Sequence, residues 1–276
     1  MVENASMTGT SSRFSHRSLF ISDVHLGSRF SDVRSFADFL DRNDAETIYL
    51  VGDIFDLWSL GKRVRWTEGH GYILSLLCQK MQGGARIVLL PGNHDDNLRP
   101  YLGLTLGRFE IMHDTVHETL TGARYLVVHG DEHDEVVMRL AKLSRVACRW
   151  KERLMPKARF SRLPKAVVPP GEGLWETLKR RAGNTNDIEA GLANEAARRG
   201  LDGVISGHTH TPADRRIASV HYLNCGDWMG SSTAVSENWS GELSLLHWHV
   251  LAHNPAAARL PAKEFSLPPQ LAGAVS

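Results

Sequence analysis

Five short apolar runs in this chain each end on a cluster of Asp, Asn or His, usually beside glycine. Leu19-Phe20-Ile21 precedes Ser22-Asp23, and Thr47-Ile48-Tyr49-Leu50-Val51 precedes Gly52-Asp53. Ile87-Val88-Leu89-Leu90 precedes Pro91-Gly92-Asn93-His94, Tyr125-Leu126-Val127-Val128 precedes His129-Gly130-Asp131, and Gly203-Val204-Ile205-Ser206 precedes Gly207-His208-Thr209-His210. Each run reads as a buried strand that delivers polar side chains at its C-terminal end. Helical spacing lies between the first three: Val33, Phe36, Ala37 and Leu40, then Tyr72, Leu76, Leu77 and Met81. Alternating strand and helix predicts an α/β fold whose site gathers at the carboxyl ends of several strands.

Beyond that core the patterns change. Val220–Asn224 and Glu242–Val250 read as closing strands of a second sheet. Residues 1–17 are expected to be a flexible leader, 18–253 the domain, and 254–276, with Pro255, Pro261, Pro268 and Pro269, a loosely attached tail. The leader has no apolar core segment and no run of about 18 apolar residues occurs, so neither a secretion signal nor a spanning helix is expected. Three widely spaced cysteines, Cys78, Cys148 and Cys225, suit neither a disulfide framework nor a Cys-x-x-Cys metal site, and a reducing cytoplasm is the expected compartment.

Histidine is the compositional outlier, with 14 copies. Two divalent ions sharing one carboxylate need oxygen donors and imidazoles supplied from separate loops. Asp23 and His25 offer two such donors on one turn, Asp53 a carboxylate able to bridge, Asn93 an amide oxygen, His129 an imidazole, and His208 and His210 two more. Glycine beside the ligand suits backbone that turns sharply next to an ion. His16, His70, His113, His117, His221, His247, His249 and His253 match no such block and read as surface or hydrogen-bonded core residues.

The five blocks, D-x-H, GD-x-x-D, GNH-D, HGD and GHTH in this order, resemble the signature of the calcineurin-like metallophosphoesterases. The resemblance covers residues 19–131 and 202–228. It implies a four-layer α/β/β/α sandwich and two ions, one held by Asp23, His25, Asp53 and His210, the other by Asp53, Asn93, His129 and His208. Manganese is the expected metal, and iron, zinc or cobalt also suit mixed oxygen and nitrogen ligands. In the family a metal-bridging hydroxide attacks phosphorus in line. His94 is similar to the family histidine that serves the leaving oxygen, and Asp56 to the carboxylate that orients it. Asp95, Asp131, His133 and Asp134 are expected to support the ligands or contact substrate, with Asp131 orienting His129 by a hydrogen bond.

The net charge of +1 hides a polarised chain. Between Arg139 and Arg181 stand 13 Lys and Arg against 3 Glu, a local +10, which leaves −9 for the rest. Val136, Leu140, Leu143, Ala147, Trp150 and Leu154 form an apolar stripe, and Arg139, Lys142, Arg145, Arg149 and Arg153 a cationic one, so residues 135–183 read as a basic helical insert over the metal site. Arg139, Arg145 and Arg149 are the expected contacts to an anionic substrate.

Gly52-Asp53-Ile54-Phe55-Asp56-Leu57-Trp58, the insert and the GHTH block are together similar to the bacterial UDP-2,3-diacylglucosamine hydrolases of lipid A synthesis, although the best-known branch carries Arg where this chain has His94. That similarity implies cleavage of a UDP-linked diacyl sugar to UMP and a lipid monophosphate, with peripheral contact through 136–181 at the cytoplasmic face of the inner membrane. The alternative is a phosphodiesterase or nuclease whose cations track a nucleic-acid backbone. A scaffold that had lost its chemistry should show eroded ligands, and all seven stand here.

Overall fold

The computed structural model describes residues 13–57, 66–134 and 185–252. The basic insert, with Arg139, Arg145 and Arg149, lies outside them, as do Trp58 and the tail. In chain order the elements are β1 (Phe14–Ile21), α1 (Val33–Arg42), β2 (Asn43–Val51), α2 (Glu68–Gln82), β3 (Arg86–Leu90), β4 (Thr105–Leu106), β5 (Phe109–Ile111), β6 (Thr115–Glu118) and β7 (Arg124–Val127). After the insert come α3 (Thr185–Arg198), β8 (Gly203–Ser206), β9 (Ala213–Ile217), β10 (Val220–Asn224), β11 (Thr233–Glu237), β12 (Leu243–His247) and α4 (Trp248–Ala252).

The strands form two sheets, ordered β12-β11-β1-β2-β3-β5-β4 and β6-β7-β8-β10-β9. β1, β2, β3 and β5 run parallel, as do β7, β8 and β10, while the outer strands pair antiparallel. Strands buried on both faces have to be apolar without interruption, and the period of two sorts their side chains between layers. Leu19, Ile21, Ile48, Leu50, Ile87 and Leu89 pack toward α1 and α2. Their neighbours Phe20, Tyr49, Val51, Val88 and Leu90 meet Tyr125, Val127, Ile205 and Leu223 between the sheets. On the far side Leu126, Val204 and Tyr222 receive Ile188, Leu192 and Ala196 of α3. The result is the α/β/β/α sandwich, and all five ligand-bearing loops leave the carboxyl ends of β1, β2, β3, β7 and β8.

Several expectations need correction. β1 begins at Phe14, inside the expected leader, because buried His16 bonds Asn43 (2.9 Å) and brings that stretch into register with β2. The stretch 242–250 is not one strand of the second sheet. β12 closes the first sheet through β11, whose partner is β1, and the chain then turns into α4, where Trp248 caps the core against Phe39. In α2 the buried positions are His70, Ile73, Leu76 and Leu77, whereas Tyr72 is exposed.

A charged cluster ties the two sheets together. Glu237 of β11, fully buried, pairs with Arg17 of β1 (2.7 Å) and His117 of β6 (2.9 Å), and accepts the Leu120 N–H (2.9 Å). The Tyr49 hydroxyl lies 3.2 Å from the other nitrogen of the His117 ring, Nδ1.

Candidate metal centre

The ligand loops are conformationally unusual. Among the described residues, Asp23, His25, Asp53, His208 and His210 have φ between 50° and 68°, in the left-handed region that side chains other than glycine rarely adopt. Each such residue costs on the order of 1–3 kcal/mol and persists only where the surroundings enforce it. Five of the seven candidate ligands share this strain.

Glycines let those side chains crowd together. A Cβ on Gly92 would lie 2.6 Å from His129 Nε2 and would overlap the Asp53 carboxylate. One on Gly207 would lie 2.6 Å from Asp23 Oδ2 and collide with Ser22. At Gly52, where φ is +79°, it would press on the His129 ring.

Within this space the polar atoms converge. His25 Nε2 lies 3.7 Å from both Asp23 Oδ1 and Asp53 Oδ2. His129 Nε2 is 3.5 Å from Asp53 Oδ2, and His210 Nε2 is 3.3 Å from Asp23 Oδ1. Two donors bound to one ion at about 2.1 Å stand roughly 3.0–3.4 Å apart, so these separations are those of ligands ready to close on a cation. Asp23, His25 and His210 form one such group, Asp23, Asp53 and His129 another, and His25, Asp53 and His94 a third. Asp53 belongs to two of the three.

The fit to a metal rests on atoms that otherwise have no business being buried. Asp23 Oδ1, His25 Nε2, Asp53 Oδ2, His129 Nε2 and both amide atoms of Asn93 are enclosed without a hydrogen-bond partner among the described residues. A buried polar atom left so costs about 1–3 kcal/mol. Four of them, Asp23 Oδ1, His25 Nε2, Asp53 Oδ2 and His129 Nε2, each stand 3.5–3.7 Å from another of the set and describe a cation site.

Electrostatics agree. Burial opposes ionisation of Asp53, yet the imidazoles of His129, His94 and His25 hold its carboxyl well below the usual range. Burial likewise opposes Asp23, and His210 and His25 outweigh it. The complement is seen at His129: burial should strip its proton, but Asp53 and Asp23 push it up to about 10. The centre is a buried anionic pair that demands positive charge, which divalent ions would supply in place of protons.

The surrounding residues divide by what they hold. His94 Nδ1 stands 3.3 Å from Asp56 Oδ1, its ring edge-on to His25 at 4.5 Å, and its backbone N–H donates to Asp53 Oδ1 (2.7 Å). His208 approaches the His129 ring at 5.2 Å, and its Nε2 lies 3.1 Å from Asp134 Oδ2. Asp95 is fully buried and accepts backbone N–H groups from Asp53, Ile54, Phe55 and Gly92 (2.6–3.3 Å). Burial and the charge of Asp53 raise its carboxyl to about 6.

One expectation is not met. Asp131 does not bond His129: the outward nitrogen of that ring, Nδ1, is taken by the Val51 carbonyl (2.9 Å), and Asp131 pairs with Arg99 (2.7 Å). His133 packs on Gly191 of α3 and lines a cleft with His113, Glu132, Glu195 and Arg199. His70, read as a surface or core residue, is buried and accepts the Gly27 N–H (3.1 Å), steadying the loop after His25.

Asp227 was not singled out by its sequence. Its Oδ2 lies 3.4 Å from His210 Nδ1, and its Oδ1 accepts the N–H groups of Met229, Gly230 and Ser231 (2.8–3.1 Å). Burial would raise its carboxyl, but His210 and those N–H groups bring it to about 2. The signal available was a Gly226-Asp227 pair after an apolar strand, the same figure as Gly52-Asp53.

The calcineurin-like phosphoesterase family profile matches residues 16–212. A UDP-2,3-diacylglucosamine hydrolase of Pseudomonas paraeruginosa is 31% identical over 235 residues, covering 81% of this chain and 95% of the relative. The protein of the same name from Ralstonia nicotianae is 28% identical over 225 residues, 75% of this chain and 82% of the relative. Among solved structures, the phosphoesterase Yfce of E. coli superposes with a TM-score of 0.40 at 13% identity, covering 83% of this chain and 98% of its own.

Proposed function

This chain belongs to the calcineurin-like phosphoesterase family, and from that premise we propose that it is a two-metal hydrolase of UDP-2,3-diacylglucosamine, yielding UMP and 2,3-diacylglucosamine 1-phosphate. The observation that carries the chemistry is the group of four buried ligand atoms without a hydrogen-bond partner, Asp23 Oδ1, His25 Nε2, Asp53 Oδ2 and His129 Nε2, gathered from the ends of three strands. The choice of substrate is supported by relatives of that name that align over nearly their whole length.

In this reading Asp23, His25, Asp53 and His210 hold one ion and Asp53, Asn93, His129 and His208 the other, with manganese the expected metal. Bound divalent ions supply Lewis-acid charge to phosphoryl oxygens and lower the pKa of water. The chain's own groups do the rest. The Asp53 carboxylate is oriented by the His94 N–H, so the bridging ligand and the acid–base imidazole are set by one contact. His94 carries a proton for the departing oxygen, and Asp56 holds its ring in place. The buried walls exclude water from everything except the open side of His94 and His210, which are the more exposed members of the cluster.

The 13 cations between Arg139 and Arg181, together with the apolar stripe among them, suit a substrate that joins a diphosphate to acyl chains, and suit peripheral contact with an anionic membrane. No helix among the described residues is long and apolar enough to cross a membrane. The same cations would serve a nucleic-acid backbone, so the test runs three substrates side by side in Mn²⁺: UDP-2,3-diacylglucosamine, a bis-phosphodiester and single-stranded DNA. Release of UMP from the first is expected. Cleavage of only the other two overturns the substrate.

A further inference from the structure

We infer that Asp227 is a positioning residue for the metal centre, fixing the tautomer and orientation of His210 so that its Nε2 faces the ion. The inference rests on the two-metal reading above and adds a residue to it.

The geometry assigns the two oxygens of Asp227 different tasks. Oδ1 is captured by three successive backbone N–H groups, those of Met229, Gly230 and Ser231. Oδ2 lies 3.4 Å from His210 Nδ1, within ion-pair distance. The opposite nitrogen of the same ring, Nε2, stands 3.3 Å from Asp23 Oδ1 and shares a ligand group with Asp23 and His25. A carboxylate beside Nδ1 favours the tautomer that carries its proton there, which leaves the Nε2 lone pair for a cation.

The loop bearing Asp227 is itself anchored to the centre. The Trp228 N–H donates to the Asp23 carbonyl (3.0 Å), and the Asp32 N–H to the Trp228 carbonyl (2.7 Å). The Trp228 ring is fully buried against Phe36 and Phe39. Ser231 Oγ accepts the Asp227 N–H at 2.9 Å. The carboxylate is therefore held in register with Asp23, the residue that shares its ligand group with His210. Two of the centre's other imidazoles also have a partner on one ring nitrogen, the Val51 carbonyl for His129 Nδ1 and Asp134 for His208 Nε2.

Asp227→Asn separates the two tasks. It keeps an oxygen for the three N–H groups and puts an NH₂ where Oδ2 was, presenting a donor to His210 Nδ1 and favouring the tautomer with its proton on Nε2. In the full chain, calorimetric titration of metal-free protein with Mn²⁺ should show two sites in the wild type, and in D227N one of them weakened by tenfold to a hundredfold. Ser231→Ala, which loosens the loop and leaves Oδ2 untouched, should bind both ions as the wild type does. Unchanged affinities in D227N overturn the inference, and so does equal weakening in S231A, which would assign the effect to loop stiffness. Should D227N fail to fold, ¹⁵N shifts of His210 in the Zn²⁺-loaded wild type decide: protonated Nδ1 supports the assignment and protonated Nε2 overturns it. A wild-type chain that binds fewer than two ions overturns the metal-centre reading itself, an outcome distinct from loss in the variant alone.

Discussion

Asp95 Oδ2 accepts the backbone N–H of Ile54 at 2.9 Å, and this bond fastens the loop of Asn93 to the loop of Asp53. The other oxygen accepts the Gly92 N–H at 2.6 Å, so one buried carboxylate holds two ligand loops in register. In Asp95→Asn an NH₂ must face backbone donors on one side. Stability in urea should fall by about 2–3 kcal/mol, and Mn²⁺ affinity should fall with it. An unchanged urea midpoint would sink this account of Asp95.

Two glycines separate crowding from backbone strain. Gly92→Ala places a Cβ on the Asp53 carboxylate and His129, so it should cost at least about 2 kcal/mol and abolish binding of one ion. Gly84 has φ +103° and nothing within 4 Å of the added Cβ. Gly84→Ala should cost only roughly 1–2 kcal/mol, with metal content by mass spectrometry unaltered. The idea fails if the two variants bind metal alike.

His94 and Asp56 act together if the 3.3 Å contact between them orients the ring. His94→Ala should lower kcat by about 10²–10⁴, and Asp56→Asn by less. The double variant should lose little beyond His94→Ala, because the second change removes support for a ring already gone. Additive losses in that kinetic cycle would show that the two residues work independently.

Glu237, which belongs to none of the ligand groups, makes stability depend on acidity. Burial would raise its carboxyl, but bonds from His117, the Leu120 N–H and Arg17 bring it below its ordinary 4.5. A carboxyl depressed in the folded state stabilises the protein above the unfolded value, and that contribution disappears as pH falls through the folded one. Glu237→Gln should cost about 2 kcal/mol near neutral pH. The gap between the two proteins should close progressively below 4.5, as thermal melts across acid pH will read. A gap constant with pH would falsify the role.

Much of the site was legible because its ligands announce themselves locally. An apolar run that stops at Asp, Asn or His, with or without a glycine beside it, is a strand end carrying a donor, and Asp23, Asp53, Asn93, His129 and His208 all stand at such ends. The sandwich was legible from the same runs, since Leu19 and Phe20 are both apolar only if both faces of β1 are covered. Outer partners were harder. Asp131 sits two residues from His129 and looked like its support, yet the Val51 carbonyl reached the ring first and Arg99 took the carboxylate.

The primary structure by itself determined which residues carry the chemistry and at which strand ends they stand, because hydrophobic period and turn chemistry are properties of neighbouring residues. Tertiary structure alone decided how those ends meet. It joined β12 to the first sheet instead of the second, brought Asp227 to His210 across 17 positions of chain, and set Asp95 beneath Ile54 across 41. Such contacts depend on directions in space that no local pattern encodes, and they are formed only when the two sheets close on one core.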